Sequence, residues 1–282
     1  MVKTKLKIIL LKFLDFLIEN RFVYILHRII TFIYIKYVKM FYTINLESNK
    51  TMFSNEINKD AALVKQLRKR YTGIFNNLNV AFVCDGNRRW SKKNKIYKNK
   101  DKISFGLQKI EQIVSFLYFK GCSSISFYVF AIRNFKRAGE EIDAVKKQLK
   151  NQKIEKYSLK IRVYGDLSLF EDKEILKNIE QWETGSNVVD DDTFKINIFL
   201  AYNSKECDLD ETNKRMFFDD KVDILIRTSG EKRLSDFMVK QVASGTAVKF
   251  ISTLWPDLTL SQVFLILQQF KLENALFSDK KK

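Results

Sequence analysis

From residue 79 onward the chain alternates short apolar segments with longer amphipathic ones, and this alternation constrains the fold more than any other feature. Such alternation is typical of a mostly parallel sheet with helices on both faces. We therefore predict an α/β fold with a mostly parallel six-stranded sheet flanked by helices. The strands are predicted over 80–84, 124–130, 160–164, 195–201, 223–226 and 247–251, and the helices over 104–120, 139–157, 171–182, 233–243 and 260–271.

The composition agrees with one large domain and an additional N-terminal region. The chain has 282 residues, of which 46% are hydrophobic, enough to bury a sizeable core. One proline and nine glycines leave little room for long linkers, and residues 202–221 are predicted as a loop or a single helical turn. The cysteines Cys84, Cys122 and Cys207 have no metal-binding spacing, so reduced thiols are expected.

Residues 1–50 predict an amphipathic helical region at a membrane interface. They contain nine Lys and Arg against three Asp and Glu, and the charged side chains recur on one helical face. Their uncharged runs are shorter than the roughly 18 residues of a spanning helix. A helix docked on the protein's own core or on a partner, and a tilted single span, are the alternatives. Residues 51–78 are predicted as a polar helical connection and 272–282 as a basic tail, which leaves 79–271 as the main domain.

The formal net charge of +17 can be explained with or without a binding partner. A solubilising lysine excess explains it without any partner, whereas anionic lipid, nucleic acid or phosphorylated substrates explain it through binding. The basic groups follow strand ends and form no continuous stripe, so no nucleic-acid partner is predicted.

Charged and small polar residues follow the first predicted strand directly. Asp85 offers carboxylate oxygens that suit Mg²⁺, Gly86 lets a ligand approach the backbone, and Asn87 can donate and accept hydrogen bonds. Arg88 and Arg89 stand where a helix begins, a position that favours anions. A solvated basic loop is the simpler alternative, because eight Lys and Arg lie between positions 88 and 102.

Two further strand ends carry similar side chains. Arg227, Arg233 and Ser235 follow the fifth predicted strand, and Asn134 and Arg137 follow the second. Ligands of parallel sheets lie at the carboxyl ends of the strands. The sequence therefore predicts a cleft that binds two diphosphate groups.

These segments resemble those of the cis-prenyltransferases, the undecaprenyl and dehydrodolichyl diphosphate synthases. The resemblance covers roughly residues 78–270. It is carried, in order, by Asp85-Gly86-Asn87-Arg88-Arg89-Trp90, 128–137, Glu140-Glu141-Ile142-Asp143, Arg162-Val163-Tyr164-Gly165-Asp166, 223–237 and Leu254-Trp255-Pro256-Asp257. The arginine pair and the Arg227-Thr228-Ser229-Gly230-Glu231 segment are most similar to the eukaryotic, dolichol-pathway branch.

The resemblance implies a hydrophobic tunnel beside the sheet, walled by helices 104–120 and 139–157, and stepwise addition of isopentenyl diphosphate to farnesyl diphosphate with Mg²⁺. It implies that Asp85 organises the metal and that Asn87 assists proton removal. It also implies an endoplasmic reticulum membrane location with the catalytic domain facing the cytosol. The residues expected to bind substrate are Gly86, Arg88, Arg89, Trp90, Asn134, Arg137, Arg227, Arg233 and Ser235.

The chain departs from the family pattern at several positions. Ile103 and Asn99 stand where a histidine and an arginine are usual, although Lys98, Lys100 and Lys102 surround Asn99. Two further departures follow the second predicted strand. Another two lie in the regions that complete the active site in family members that act without an accessory subunit. These are Ala131, Arg133, the Ser244-Gly245-Thr246 segment in place of a glutamate, and a C-terminus without an Arg-x-Gly ending.

Members without the Arg-x-Gly ending borrow it from a Nogo-B-receptor-like accessory subunit, so the resemblance implies a heteromer. Two other functions remain as alternatives. One is a non-catalytic scaffold subunit of the same complex, and the other is a phosphate-releasing hydrolase with the same type of sheet.

Overall fold

The computed structural model describes residues 73–152, 159–185, 194–207 and 215–277, together with residues 9, 12 and 13. Their strands form one sheet in which every pairing is parallel, in the order β3-β4-β2-β1-β5-β6. The predicted α/β class and six-stranded parallel sheet are confirmed. The strands are β1 (Asn79–Val83), β2 (Ser124–Ala131), β3 (Lys160–Tyr164), β4 (Lys195–Tyr202), β5 (Ile224–Arg227) and β6 (Ala247–Phe250).

Helices connect the strands, as parallel pairing requires. Short 3₁₀ helices also follow β2, β3 and β6, at Ile132–Lys136, Leu167–Phe170 and Trp255–Asp257. Residues 52–257 form one compact unit that contains the whole sheet, and the last helix belongs to a second unit. The α-helices are α1 (Asn87–Lys93), α2 (Asn99–Phe119), α3 (Gly139–Asn151), α4 (Lys173–Gly185), α5 (Ser204–Cys207), α6 (Val239–Ala243) and α7 (Leu260–Phe277).

The helix predicted over 233–243 is wrong in its first half. Ser235, Asp236 and Met238 have φ angles of 58°, 60° and 52°, a left-handed conformation that a right-handed helix excludes. Only α6 is helical in this stretch. The bends that precede it bring the Ser235 side chain back towards the end of β5.

Three other predicted boundaries also change. The helix predicted over 139–157 ends at Asn151, where Asn178 of α4 donates hydrogen bonds to the carbonyl oxygens of Leu149 and Gln152 at 2.6 and 3.0 Å. Residues 73–78 form turns where a helical connection was predicted. The predicted tail from 272 is helical as far as the end of α7.

The strand order places the carboxyl end of β1 at the centre of the sheet. Val83 pairs with Tyr128 of β2 on one side and with Arg227 of β5 on the other. The chain moves from β1 towards β3 and β4 on one side and then crosses to β5 and β6 on the other. The end of β1 is therefore a switch point of the sheet, the place where ligands of such folds bind.

Among the described residues, no helix combines the length and apolar character needed to cross a membrane. Apart from residues 9, 12 and 13, the predicted membrane-interface region 1–50 lies outside the described residues, as does most of the predicted connection 51–78, so both stay predictions.

Candidate active site

Thr228 joins the ends of β1 and β5 at the centre of the site. Its hydroxyl donates to the carbonyl oxygens of Asp85 at 2.7 Å and of Val83 at 3.1 Å, and accepts from the Asp85 backbone N–H at 3.0 Å. Thr228 is fully buried. Because these bonds hold the backbone on both sides of Asp85, the position of its side chain is fixed by the sheet and not by a loop.

Arg227 supports the Asp85 carboxylate from the interior. Its Nη2 donates to Asp85 Oδ2 at 2.7 Å, and its Nη1 donates to Ser235 Oγ at 2.6 Å and to the Arg233 carbonyl oxygen. Asp85 Oδ1 accepts from the Gly86 backbone N–H at 2.7 Å. The three residues predicted to follow β5 are therefore brought together with Asp85 around one guanidinium.

The Asp85 carboxyl is ionised at neutral pH. Burial by itself raises the pKa of Asp85, but the hydrogen bond and charge of Arg227, with the Gly86 N–H, outweigh burial and lower the pKa below its ordinary value. An ionised carboxylate that is one-third exposed can still approach a cation or a polar ligand.

Asn87 is the first residue of α1, and only one of the two polar atoms of its side chain forms a hydrogen bond. Its Nδ2 donates to the Cys84 carbonyl oxygen at 3.0 Å, whereas its buried Oδ1 has no hydrogen-bond partner within the described chain. A Cβ atom at Gly106 would lie 3.0 Å from that Oδ1, so the glycine keeps the space in front of the oxygen open. An unpartnered buried acceptor costs free energy, which is typical of a functional position.

Gly86 is required by its surroundings. Its φ of 105° is left-handed, and an added Cβ would lie 2.9 Å from Leu254 Cδ2 and 3.1 Å from Ser229 Cβ. The Trp255 backbone N–H donates to the Asp85 carbonyl oxygen at 3.0 Å, so the segment after β6 closes against the turn. Any other residue type here would adopt a strained φ angle and would crowd Leu254 and Ser229.

Four arginines surround the site and are called the rim arginines: Arg88, Arg89, Arg137 and Arg233. Each of two glutamates forms ion pairs with two of them. Glu141 lies 2.9 Å from Arg88 and 3.9 Å from Arg137, whereas Glu231 lies 3.7 Å from Arg89 and 3.1 Å from Arg233. Arg88, Arg89 and Arg233 are more than half exposed, and their ion pairs are weak for that reason. A stronger anion, such as a diphosphate, can therefore displace the carboxylates.

An apolar space extends from the site between α2, α3 and the sheet. It consists of two adjoining cavities of about 160 Å³ each. The nearer cavity is lined by Asn87, Arg88 and Arg137, and the farther one by Trp182 and Ile161. The predicted wall of α2 and α3 is therefore present. The residues that line both cavities are Leu107, Ile110, Val129, Gln148, Leu149 and Leu200.

Of the nine predicted substrate-binding residues, Arg88 and Arg137 line the nearer cavity and the other seven line neither cavity. Two of these seven, Trp90 and Asn134, have contacts elsewhere. The Trp90 indole N–H donates to Asp257 Oδ1 at 2.7 Å, and its ring packs on Phe105. Asn134 lies in the 3₁₀ helix after β2, where its carbonyl oxygen accepts from the Arg137 N–H at 3.1 Å. These contacts give the Trp90 ring a positioning part in the fold around the site, and substrate binding by Trp90 and Asn134 stays a prediction.

Sequence reasoning did not select five residues that the structure places at the site. Four of them lie in segments that carried the family resemblance, and that resemblance could have indicated a role at the site. These four are Glu141, Glu231, Trp255 and Thr228. Gly106 had no signal, because a lone glycine within a helical pattern does not show what lies opposite it.

The described residues contain no group of three His, Cys, Asp or Glu side chains that could hold a metal ion alone. In the Ser244-Gly245-Thr246 segment, which stands in place of the family's glutamate, the Thr246 hydroxyl donates to the Val222 carbonyl oxygen at 2.7 Å. Mg²⁺ is commonly held by one or two carboxylates plus substrate phosphates. The ionised Asp85 therefore fits a metal bound jointly with a diphosphate.

The chain is similar to known prenyl diphosphate synthases. Residues 83–278 match the family model of undecaprenyl diphosphate synthase. The dehydrodolichyl diphosphate synthase of Encephalitozoon cuniculi is 44% identical over 212 residues, which are 72% of this chain and 73% of that protein. A dehydrodolichyl diphosphate synthase complex subunit of Schizosaccharomyces pombe is 30% identical over 69% of this chain and 85% of its own length.

A solved structure confirms the fold. The crystal structure of lavandulyl diphosphate synthase from Lavandula x intermedia, in complex with dimethylallyl diphosphate, aligns with a TM-score of 0.57 and 20% identity. The alignment covers 68% of this chain and 94% of that one.

Proposed function

Because this chain belongs to the undecaprenyl diphosphate synthase family of prenyltransferases, we propose that it condenses isopentenyl diphosphate with farnesyl diphosphate. The product would be a long Z-polyprenyl diphosphate of the dehydrodolichyl type, used for dolichol and protein glycosylation. One observation carries the proposal. An ionised carboxylate and paired arginines stand at the mouth of an apolar space that can receive a growing prenyl chain.

The reaction breaks the bond between C1 of the allylic substrate and its diphosphate oxygen. A carbon–carbon bond forms to the terminal alkene carbon of isopentenyl diphosphate, which then loses a proton, and diphosphate leaves. Negative charge gathers on the leaving diphosphate, so the rim arginines favour this step by holding that charge. Arg89 would bind the allylic diphosphate, and Arg233 with Ser235 the isopentenyl diphosphate.

Arg227 has a different part from the other arginines. It is 2% exposed and already shared between Asp85 and Ser235. It therefore positions those two side chains, and its buried positive charge contributes to the electrostatic potential of the site. Asn87 directs its unpartnered Oδ1 into the buried site, where it can orient a donor near the proton that is lost.

Mg²⁺ is proposed as the metal, held by Asp85 together with substrate phosphates. When bound, it would neutralise diphosphate charge as a Lewis acid. The ionised state of Asp85 and its remaining exposure support this assignment.

A heteromeric enzyme at the endoplasmic reticulum membrane is part of the proposal. The Schizosaccharomyces pombe relative is named as a complex subunit, which supports a partner for this chain. We propose that a Nogo-B-receptor-like subunit completes the site and that residues 1–50 hold the catalytic domain against the cytosolic membrane surface. Deletion of residues 1–48 is expected to move the protein to the soluble fraction, whereas continued pelleting with membranes would contradict this anchor.

The alternative is a non-catalytic scaffold subunit of the same complex. The paired Asp85 and Arg227 and the open Asn87 acceptor favour catalysis, because a scaffold has no use for an unpartnered buried oxygen.

Chain elongation tests the proposed function directly. Purified full-length protein is incubated with farnesyl diphosphate, labelled isopentenyl diphosphate and Mg²⁺, with and without the accessory subunit. Long Z-polyprenyl diphosphate only in the presence of the subunit supports both the reaction and the heteromer. Product without the subunit keeps the reaction and rejects the heteromer. A folded protein that gives no product in either tube supports the scaffold.

A further inference from the structure

One carboxyl interrupts the apolar face that α2 presents to the two cavities. Leu107, Ile110, Glu111 and Val114 have the spacing of a single helical face, and all four line the farther cavity. Leu107 and Ile110 also line the nearer cavity, whereas Glu111 and Val114 do not. Glu111 therefore lies just past the junction of the two cavities, about one helical turn beyond Leu107.

The surroundings of Glu111 offer it no counter-charge. Its side chain is partly buried, and within the described ranges no lysine or arginine lies at ion-pair distance from it. The facing walls from α3, α4 and the sheet bring only three polar side chains to the farther cavity, Gln148, Gln152 and Trp182. Gln148 Nε2 donates to Gln152 Oε1 at 2.9 Å, and the Trp182 N–H donates to the Gln152 carbonyl oxygen at 3.0 Å.

The charged groups along the rest of the path lie outside the farther cavity. Lys109 of α2 lines neither cavity, and Asp257 is the charge that acts on it. Four charged residues line only the nearer cavity: Arg88, Lys102, Arg137 and Glu141. Among the described residues, Glu111 is therefore the titratable group whose hydration changes most when an apolar ligand fills the farther cavity.

The two protonation states of Glu111 suit different contents of this cavity. An ionised carboxylate retains bound water, because its removal from water without a partner is costly, whereas a neutral carboxyl is far easier to bury. Burial already raises the pKa of the Glu111 carboxyl above its ordinary value. An apolar chain that displaces the remaining water should raise this pKa further. Entry of the chain is then coupled to the uptake of one proton.

We propose that Glu111 controls how far the prenyl chain advances, because its ionised carboxyl opposes entry into the farther cavity and its protonation admits the chain. This rests on the proposed function, in which every addition takes place at the diphosphate end and moves the opposite end of the chain deeper into the apolar space. Product length then depends on pH through a group that takes no part in the chemical step. Products become shorter as the pH rises and longer as it falls.

Glu111→Gln in the full-length protein, with the accessory subunit in every tube, tests this control of length. At pH 8 the labelled, dephosphorylated products of Glu111→Gln should be longer than those of the wild type. At pH 5.5 the two product distributions should converge, because the wild-type products lengthen while those of the variant do not change. Glu180→Gln, an exposed position on α4 that lines neither cavity, is the matched control and should behave as the wild type. Equal lengths at both pH values, or an equal gain at both, would overturn the proposal.

Binding of an uncharged prenyl alcohol separates this proposal from the proposed function. The affinity of the wild type for labelled geranylgeraniol should fall by up to about tenfold per pH unit above the folded pKa of Glu111, since one proton is taken up on binding. The affinity of Glu111→Gln should not change with pH, and the same pH dependence in both proteins rejects the role of Glu111. A wild-type complex that makes no polyprenyl product rejects the proposed function, while the binding comparison still decides the role of Glu111.

Discussion

Arg227 Nη2 lies 2.7 Å from Asp85 Oδ2, and the guanidinium is 2% exposed whereas the carboxylate is 33% exposed. The pair thus joins a buried cation to an accessible anion across β1 and β5. Burial makes the pair a structural element as well as a functional one, because an uncompensated buried charge is costly. Changes at Asp85 should therefore affect stability and turnover together.

Asp85→Ala is expected to abolish turnover and to lower the free energy of unfolding by about 3 kcal/mol, since it leaves Arg227 buried without its counter-charge. Asp85→Asn should abolish turnover at a smaller cost in stability, because the amide oxygen can still accept from Arg227. Urea unfolding and isopentenyl incorporation measure the two effects.

Asp219→Asn is the control for this comparison, because Asp219 forms an exposed ion pair with Lys240 and its loss should change the free energy of unfolding by less than about 0.5 kcal/mol. Near-normal turnover in Asp85→Asn would remove Asp85 from the proposed metal role.

The same pair predicts an acid-sensitive contribution to stability. Burial raises the pKa of Asp85, but Arg227 and the Gly86 N–H lower it overall from an ordinary value of 3.8. The folded state therefore binds fewer protons than the unfolded state in this range, and the contribution, present above pH 3.8, is lost as the pH falls through the lower folded pKa. The unfolding free energy of the wild type should fall more steeply between pH 5 and pH 2 than that of Asp85→Asn. Parallel curves would show that the carboxylate is not stabilised by its surroundings.

The strands could be predicted to within one residue at each end because buried parallel strands are continuous apolar runs bounded by polar residues. The site residues that follow the strands could be predicted from the same pattern, because parallel strands have their carboxyl ends at one edge of the sheet. Asp85, Asn87, Arg227 and Ser235 were found in this way.

The pairings within the site could not be predicted. Arg88 and Glu141 are 53 positions apart, and no periodic pattern connects them. The bend at Ser235 depends on left-handed φ angles at Ser235, Asp236 and Met238. Serine and aspartate are common in turns but also at helix N-caps, so the local sequence does not distinguish this bend from the start of a helix. Lys102 lines the nearer cavity whereas Lys98 and Lys100 are exposed, and this difference depends on tertiary packing.

Glu111 is expected to destabilise the protein at neutral pH. It lines the farther apolar cavity, and burial raises the pKa of its carboxyl above the ordinary value of 4.5. The folded state therefore favours the neutral carboxyl of Glu111. This contribution to the free energy of unfolding is fully present below pH 4.5 and is lost as the pH rises through the higher folded pKa. Glu111→Gln should therefore unfold at a higher urea concentration than wild type at pH 8.

The difference should disappear at pH 4, where the wild-type carboxyl is neutral in the folded state. Glu140→Gln, an exposed position in the first turn of α3, is the control and should show no such pH-dependent gain. A gain for Glu111→Gln that is equal at both pH values would assign it to packing and not to charge.

Trp182 is expected to limit the length of the product. It is 5% exposed, lines only the farther cavity, and is fixed there by an N–H bond to the Gln152 carbonyl oxygen at 3.0 Å. Trp182→Ala removes a wall of the chain space and should shift labelled, dephosphorylated products to longer polyprenols, with a stability cost of about 3–5 kcal/mol. Trp182→Phe should give a smaller shift at a lower cost. Ile179→Ala, a buried position on the same helix that lines neither cavity, should lose stability without any change in product length. Identical product lengths in folded Trp182→Phe, Trp182→Ala and wild-type enzymes would place the end of the chain elsewhere.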